Sequence, residues 1–225
     1  MVAIESQGLK LPAYVSKPQV QKSSMAGIII VHDWWGLGNY VKSVADRLAS
    51  IGYIGIAPDL YIGKYASNPD EARSLSSSLT PQVAKNLLDV TDTYLRALDV
   101  AKIGITGFCF GGTLAFSYVC ESKEIKAGAI FYATNLPSED QLRNITAPLL
   151  IIYGDQDHTV KPDKASQLET RLKTLGKDAK LLMYPGAPHA FFNDENKQNY
   201  RPEAAKDAWE KTTEFFNSRL LQDWS

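Results

Sequence analysis

Short runs of apolar residues alternate along this chain with longer segments in which apolar residues recur every three or four positions. The short runs are typical of strands buried on both faces, and the longer segments are typical of amphipathic helices. Strands are predicted at residues 27–31, 53–57, 102–106, 127–132, 149–152 and 180–184, and an early edge strand at 13–15. Helices are predicted at residues 41–51, 113–120, 164–175 and 202–221, with two more between residues 68 and 98.

Helix boundaries are marked by glycine and by cap-proline pairs. Gly52 and Gly176 follow the last apolar positions of two predicted helices, where a left-handed residue commonly ends a helix. Asn68 and Thr80 each precede a proline, and a capping side chain followed by proline is typical of a helix start.

Strands and helices alternate without an internal repeat, a linker or a low-complexity run. This order predicts an α/β fold with one mainly parallel central sheet and helices on both faces, and we expect residues 1–225 to form a single domain. In such sheets the functional site lies outside the carboxyl ends of the strands.

Composition narrows the classes of function. The net charge of −1, with both signs interspersed, argues against nucleic acid or an anionic membrane as a partner. No apolar run is long enough to span a bilayer, and residues 1–5 lack the basic and apolar pattern of an export signal. The chain also has only two cysteines, which is typical of proteins in a reducing compartment, so we expect a cytoplasmic protein. We expect it to be a monomer or a weak homo-oligomer.

Cys109 occupies the position of a nucleophile. It lies between the strand at 102–106 and the helix at 113–120, with Gly107 and Gly111 two positions to either side. Strand, G-x-C-x-G and helix form a nucleophile elbow in which cysteine replaces serine. The glycines let strand and helix approach closely, and the helix N-terminus favours thiolate over thiol. Glycines also flank buried cysteines that have only a structural role. The motif therefore indicates a nucleophile only if catalytic partners accompany it.

An acid and a histidine follow Cys109 in the order that a hydrolase triad requires. Asp155 and Asp157 come after the strand at 149–152, and His189 comes after the strand at 180–184. Nucleophile, acid and histidine, each just past a strand, is the chain order of the α/β-hydrolase triad. Asp157 is the better acid, because Asp155 directly follows a glycine and is expected in the turn that begins the loop.

The second cysteine is predicted to be structural. Cys120 is 11 positions after Cys109 on the same predicted helix, a separation of roughly 16 Å along the axis. A disulfide requires Cα atoms within about 7 Å. We therefore expect Cys120 in the core, and a redox enzyme is disfavoured because no second cysteine can resolve Cys109.

The chain resembles the dienelactone hydrolases over nearly its whole length. The resemblance is carried by residues 31–37, 57–61, 107–112, 154–157 and 188–191, and the cysteine at the elbow distinguishes this family from serine hydrolases. It implies an α/β-hydrolase fold, a small-molecule lactone or ester substrate, no cofactor, no metal, and acyl transfer through a thioester. The oxyanion would be bound by the backbone N–H groups of Trp34 and Phe110.

Two departures from the family pattern concern thiol activation and substrate binding. Asp33 occupies the place of a family glutamate that helps to generate the thiolate. Asn193 stands where the family has an arginine for the substrate carboxylate, and Arg73 is the candidate for a second such arginine. With one arginine absent, a broad-specificity carboxylesterase or thioesterase is the alternative to a dienelactone hydrolase.

The remaining alternatives concern the histidines and the class of protein. His32 is interpreted as a loop-packing residue, and His158 has no partners at the spacing of metal ligands. Arg73 can also be read as a solvated charge on a helix. A ligand-binding receptor with a hydrolase fold is the non-enzyme alternative, disfavoured because a receptor need not keep nucleophile, acid and base together.

Overall fold

The computed structural model describes residues 1–6, 8–20 and 25–221, and the strands of this part of the chain form one sheet. The strands are β1 (Val2–Ser6), β2 (Leu9–Ser16), β3 (Met25–Val31), β4 (Ile54–Pro58), β5 (Val100–Phe108), β6 (Ile125–Phe131), β7 (Leu149–Gln156) and β8 (Ala179–Pro188). Their order across the sheet is β1-β2-β4-β3-β5-β6-β7-β8. The β1–β2 and β2–β4 pairs are antiparallel, and the other pairs are parallel.

Helices connect the parallel strands. They are α1 (Asn39–Ser50), α2 (Pro69–Ser78), α3 (Pro81–Arg96), α4 (Phe110–Glu121), α5 (Glu139–Arg143), α6 (Pro162–Thr174) and α7 (Pro202–Leu220). The two predicted cap-proline starts are confirmed. Asn68 accepts hydrogen bonds from the first-turn amides of α2 at 3.0 and 3.1 Å, and Thr80 accepts one from α3 at 3.3 Å.

Glycines in the central strands show which helices cover each face. A Cβ on Gly27 in β3 would lie 3.0 Å from Leu95 of α3, and a Cβ on Gly104 in β5 would lie 2.9 Å from Leu220 of α7. Gly104 pairs with Ile28, the residue after Gly27, and successive residues of a strand point to opposite faces. Therefore α3 and α7 cover opposite faces, and the predicted α/β architecture is confirmed.

The N-terminal strands differ from the prediction. The strand predicted at residues 13–15 extends over Leu9–Ser16 and lies inside the sheet, because Val2–Ser6 pairs with its outer side. Placing it at the edge was wrong. Only Ile4 of β1 is buried, so the strand that forms the true edge has no apolar run or clear alternation by which to recognise it.

One further element was not predicted, and another is longer than predicted. Helix α5 was not predicted, although Ser138 and Gln141 form the capping box that begins it. Strand β8 continues to Pro188, beyond the predicted end at residue 184, because Gln156 of β7 still pairs with Pro188 after a register shift. The prolines and glycine of this extension are poor strand formers, and tertiary pairing overrides that preference.

Candidate active site

Cys109 occupies a strained turn between β5 and α4. Its φ and ψ are 57° and −119°, a conformation that non-glycine residues rarely adopt. The turn is held by hydrogen bonds from the Cys109 amide to the Phe131 carbonyl and from the Thr113 amide to the Cys109 carbonyl, each 3.1 Å long. Cys109 is half-buried, whereas Cys120 is buried in α4 as predicted, and both thiols are free.

The glycines around Cys109 are required by close backbone contacts. A Cβ on Gly107 would overlap the carbonyl oxygen of Gly111, and a Cβ on Gly111 would overlap the carbonyl oxygen of His32. A Cβ on Gly112 would come within 2.6 Å of the Phe131 carbonyl oxygen. Helix α4 therefore begins directly against the ends of β3 and β6, and this contact brings Cys109 next to the loop that follows β3.

Asp157 and His189 are hydrogen bonded to each other. His189 Nδ1 and Asp157 Oδ2 are 2.8 Å apart, and the other carboxylate oxygen accepts from the amides of Thr159 at 2.8 Å and Val160 at 3.1 Å. Asp157 is only 2% exposed. An ionised carboxylate accepts hydrogen bonds only, so Nδ1 carries the proton and Nε2 is available as a base.

Charge interactions favour the protonated form of His189. Burial opposes the imidazolium, but the hydrogen bond to Asp157 and the interaction with Cys109 outweigh it and raise the pKa of His189 to about 9. His189 Nε2 is buried and has no hydrogen-bond partner of regular geometry among the described residues. Cys109 is therefore near enough to influence the ionisation of the imidazole.

Asp155 has a different role from Asp157. Its Oδ1 accepts a hydrogen bond of 2.7 Å from the amide of Gly186, and this bond ties the end of β7 to the extended part of β8. The sequence placed Asp155 in the following turn, whereas it lies among the last residues of β7. Of the two candidate acids, only Asp157 contacts the histidine.

His32 packs within the loop after β3, which agrees with its interpretation as a loop-packing residue. The side chain is fully buried, with Nδ1 2.7 Å from the Asp33 carbonyl oxygen and Nε2 3.2 Å from the amide of Leu60. An amide donates and a carbonyl accepts, so the proton lies on Nδ1. Burial lowers the pKa of His32, so this neutral side chain fixes the loop that carries Trp34.

The two amides predicted to bind an oxyanion have no intramolecular acceptor in the described ranges. Phe110 is the first residue of α4, where an amide has no partner within the helix. The Trp34 amide, in the loop fixed by His32, likewise donates no hydrogen bond within the chain.

Asp33 is a buried carboxyl group close to the imidazole. Its Oδ1 accepts a hydrogen bond of 2.9 Å from the amide of Trp35. Burial raises the pKa of Asp33 to about 6, against the effect of the Trp35 bond, and the neighbouring charges of Glu195 and His189 act in opposite directions. Asp33 therefore lies within electrostatic reach of the histidine.

A cavity of about 330 Å³ opens beside Asp33, between the loops that follow β3 and β8. Asn193 lines it, at the position where the family resemblance implies an arginine. Arg73 does not: it is exposed on α2, with its guanidinium 3.8 Å from Asp70. The cavity is lined by Asp33, Trp35, Gly36, Gly38, Tyr40, Val41, Tyr65, Asn193, Glu195 and Asn196.

Tyr40 and Tyr132 are site residues that the sequence analysis missed. Both hydroxyl groups are buried near Cys109 and have no hydrogen-bond partner of regular geometry in the part of the chain described. Tyr132 has a φ of 36°, and its ring centroid is 5.0 Å from that of His189. Its place just after β6, at the carboxyl edge of the sheet, was the available signal.

The described residues contain neither a cluster of metal ligands nor a helix that could span a membrane. Within the described ranges, no three histidine, cysteine, aspartate or glutamate side chains are grouped so that they could hold a metal ion. None of the helices described has the length and apolarity needed to cross a membrane.

The chain is similar to proteins of known family. The model of the Dienelactone hydrolase family matches residues 11–220. "Protein usf" of Aquifex pyrophilus is 33% identical over 234 residues, which cover 98% of each chain. A protein of Aquifex aeolicus named "Putative carboxymethylenebutenolidase" is 31% identical, again over 98% of each chain.

Solved structures extend this similarity. A "Putative Dienelactone Hydrolase" from Klebsiella pneumoniae is 27% identical and superposes with a TM-score of 0.89, covering 95% of both chains. A thermophilic esterase from Thermogutta terrifontis is 20% identical and superposes with a TM-score of 0.73, covering 94% of this chain and 90% of the esterase. The fold is thus that of an α/β-hydrolase, as the sequence predicted.

The glycine contacts generate a prediction about stability. Gly111→Ala forces a Cβ onto the His32 carbonyl, so we expect the free energy of unfolding to fall by about 3 kcal/mol or more. Gly176→Ala is the control, since its Cβ meets open space and only the φ of 68° opposes it, at a cost of about 1 kcal/mol. Urea denaturation measures both, and equal losses would contradict the close contact.

The buried Asp33 generates a prediction about pH. The folded protein binds this proton more tightly, because the pKa rises from 3.8 to about 6. The contribution of Asp33 to the free energy of unfolding should therefore fall by up to about 3 kcal/mol as pH rises through this range, and this contribution should change no further above it. Asp33→Asn should remove that fall while keeping an acceptor for Trp35. Urea denaturation at a series of pH values compares the two, and parallel profiles would refute the shift.

Proposed function

Because this chain belongs to the dienelactone hydrolase family and is a carboxylic ester hydrolase, we propose that it opens lactone or ester bonds with Cys109 as the nucleophile. His189 is the general base and Asp157 orients it. The observation that carries the proposal is the 2.8 Å contact between Asp157 and His189 Nδ1, while Nε2, beside the strained Cys109 turn, has no partner of regular geometry among the described residues.

The first half of the reaction forms a thioester. His189 accepts the thiol proton, and the Cys109 sulfur attacks the carbonyl carbon to give a tetrahedral intermediate. The C–O bond then breaks, and the leaving oxygen takes the proton from His189 Nε2. In a lactone this oxygen remains attached to the acyl group through the opened ring, whereas in an ester it departs as an alcohol.

The second half hydrolyses the thioester. His189 removes a proton from water, whose oxygen attacks the carbonyl carbon. The C–S bond breaks, the sulfur recovers its proton, and the carboxylic acid is released. Asp157 stabilises the imidazolium in both halves and does not itself become protonated.

The Trp34 and Phe110 amides bind the oxyanion in this proposal. Their unused N–H groups lie on the loop after β3 and at the start of α4, and the Gly111 contact with His32 holds these two segments together. Amides fixed in this way require no reorganisation when charge develops, and each such donor contributes on the order of 3 kcal/mol.

Asp33 acts on the thiol indirectly. With a pKa of about 6, its carboxyl group is mostly ionised at neutral pH, and its charge favours the imidazolium that stabilises the Cys109 thiolate. Asp33 has less reach than a glutamate, so the proposal assigns it this electrostatic role and not a direct proton transfer to sulfur.

A broad-specificity carboxylesterase or thioesterase is the second candidate. It is favoured by the lining of the cavity, where Asn193 replaces an arginine and from which Arg73 is absent. Neither residue supplies a positive charge for the carboxylate of a dienelactone. The two candidates share one catalytic apparatus and differ in the substrate that the cavity accepts.

The nucleophile is tested by Cys109→Ala. The substitution removes the attacking sulfur, so kcat/KM for p-nitrophenyl acetate should fall at least about a hundredfold. Cys120→Ala is the matched control: it removes a buried thiol outside the site and should leave kcat/KM unchanged. Circular dichroism verifies that both variants are folded. If Cys109→Ala retains more than a few per cent of the rate, the nucleophile lies elsewhere.

The acid is tested by a pair of conservative changes two positions apart. In Asp157→Asn the amide no longer holds the Nδ1–H tautomer, and kcat should fall about 10³- to 10⁴-fold. Asp155→Asn keeps an acceptor for Gly186 and should cost less than about tenfold. Steady-state kinetics on one neutral ester distinguishes the two roles, and comparable losses would remove the reason for choosing Asp157.

A further inference from the structure

The cavity beside Asp33 has an acidic lining. Asp33 and Glu195 both line it, and no lysine or arginine belongs to its lining as far as the chain is described. Glu195 is held by backbone contacts. Its Oε2 accepts from the Tyr40 amide at 3.4 Å, and its own amide donates to Asn193 Oδ1 at 3.0 Å.

The negative charges of the two carboxylates converge within the cavity. The charge of Glu195 helps to raise the pKa of Asp33, and after burial the charges of both groups raise the pKa of Tyr65, which also lines the cavity. Two carboxylates that act on the same surroundings make the space between them favourable for a cation and unfavourable for an anion.

This acidic space adjoins the reacting atoms. Asp33 follows His32, whose carbonyl oxygen lies against Gly111 at the start of α4, and the Tyr40 ring centroid is 5.1 Å from that of Phe108, the residue before Cys109. Both Asp33 and Tyr40 line the cavity, which therefore adjoins the Cys109 turn.

Arg47 and Arg73 do not contribute a positive charge to the lining of the acidic cavity. The Arg47 guanidinium lies 3.9 Å from the ring centroid of Trp209 and lines a separate cavity with Asp194. Arg73 is exposed and next to Asp70. Neither side chain lines the acidic cavity.

The walls between the two carboxylates are aromatic. Trp35, Tyr40 and Tyr65 contribute to the lining, and Tyr65 is 56% exposed, so part of its side chain is free for contact. Aromatic rings combined with carboxylates are the chemistry that binds alkylammonium groups, through cation–π and charge interactions.

We propose that this cavity selects esters or thioesters bearing a positively charged ammonium group and disfavours the carboxylate-bearing lactones. The inference rests on the proposed function for the reaction at Cys109 and adds the class of substrate. Glu195 is its specificity-determining residue, because it lies outside the catalytic group and is a charged residue of the cavity lining.

Three thioacetates of similar size test the selectivity. Acetylthiocholine carries a quaternary ammonium group, the 3,3-dimethylbutyl thioester is its neutral isostere, and S-acetyl-3-mercaptopropionate carries a carboxylate. We expect kcat/KM for the cation to exceed that for the anion at least about tenfold, with the neutral thioester between them. Glu195→Gln should lower the ratio of cation to anion about threefold or more.

Asp194→Asn is the matched control. It removes one negative charge from the neighbouring position, but Asp194 lines the separate cavity that contains Arg47. The ratio of cation to anion should therefore stay at its wild-type value. If all three thioesters react equally well, or if Glu195→Gln and Asp194→Asn change the ratio equally, the inference is overturned while the hydrolase function stands.

A second measurement does not depend on hydrolysis. Cys109 is modified with the cationic aminoethyl and the anionic sulfonatoethyl methanethiosulfonate, and each rate is divided by that of a free thiol in solution. The corrected rate should favour the cation, and Glu195→Gln should reduce this preference where Asp194→Asn does not. Loss of hydrolysis with this preference intact would refute the proposed function and support the acidic cavity; an absent preference refutes the cavity inference.

Discussion

Close backbone contact at the start of α4 is the constraint on which the site depends. Gly111 lies against the His32 carbonyl and Gly112 against the Phe131 carbonyl, so the helix begins in direct contact with the ends of β3 and β6. A side chain at either glycine would separate these elements. The contact holds Cys109 in its strained conformation and places it beside the loop after β3, whose geometry His32 then fixes.

The titratable groups at this edge of the sheet differ in how far hydrogen bonds and neighbouring charges offset the effect of burial. Asp157 is buried but accepts three hydrogen bonds, which replace its contacts with water. Asp33 is also buried, yet among the described residues its carboxyl group accepts a hydrogen bond only from the Trp35 amide, and its pKa rises to about 6. His189 is partly buried, but its hydrogen bond and the neighbouring charges outweigh desolvation and raise its pKa. Burial, hydrogen bonds and neighbouring charges together therefore set the pKa of Asp33 and of His189.

Prediction from sequence succeeded where the physical cause was local. Strands β3 and β4 are continuous apolar runs because both of their faces are covered, and proline beside a capping side chain marks α2 and α3. It failed where long-range pairing decided the element. Strand β1 carries a single buried residue, and the end of β8 is a strand only because β7 pairs with it.

The sequence by itself determined the fold class, the elbow at Cys109, and the order of nucleophile, acid and histidine, because each depends on residue types at short spacings. The sequence favoured Asp157 over Asp155, but only the tertiary structure shows the contact with His189, since it alone brings the loops after β7 and β8 together, while Asp155 bonds to the Gly186 amide within β8. The acidic cavity is also a tertiary property. Asp33 and Glu195 are far apart along the chain, and they meet because parallel strands bring their following loops to one edge of the sheet.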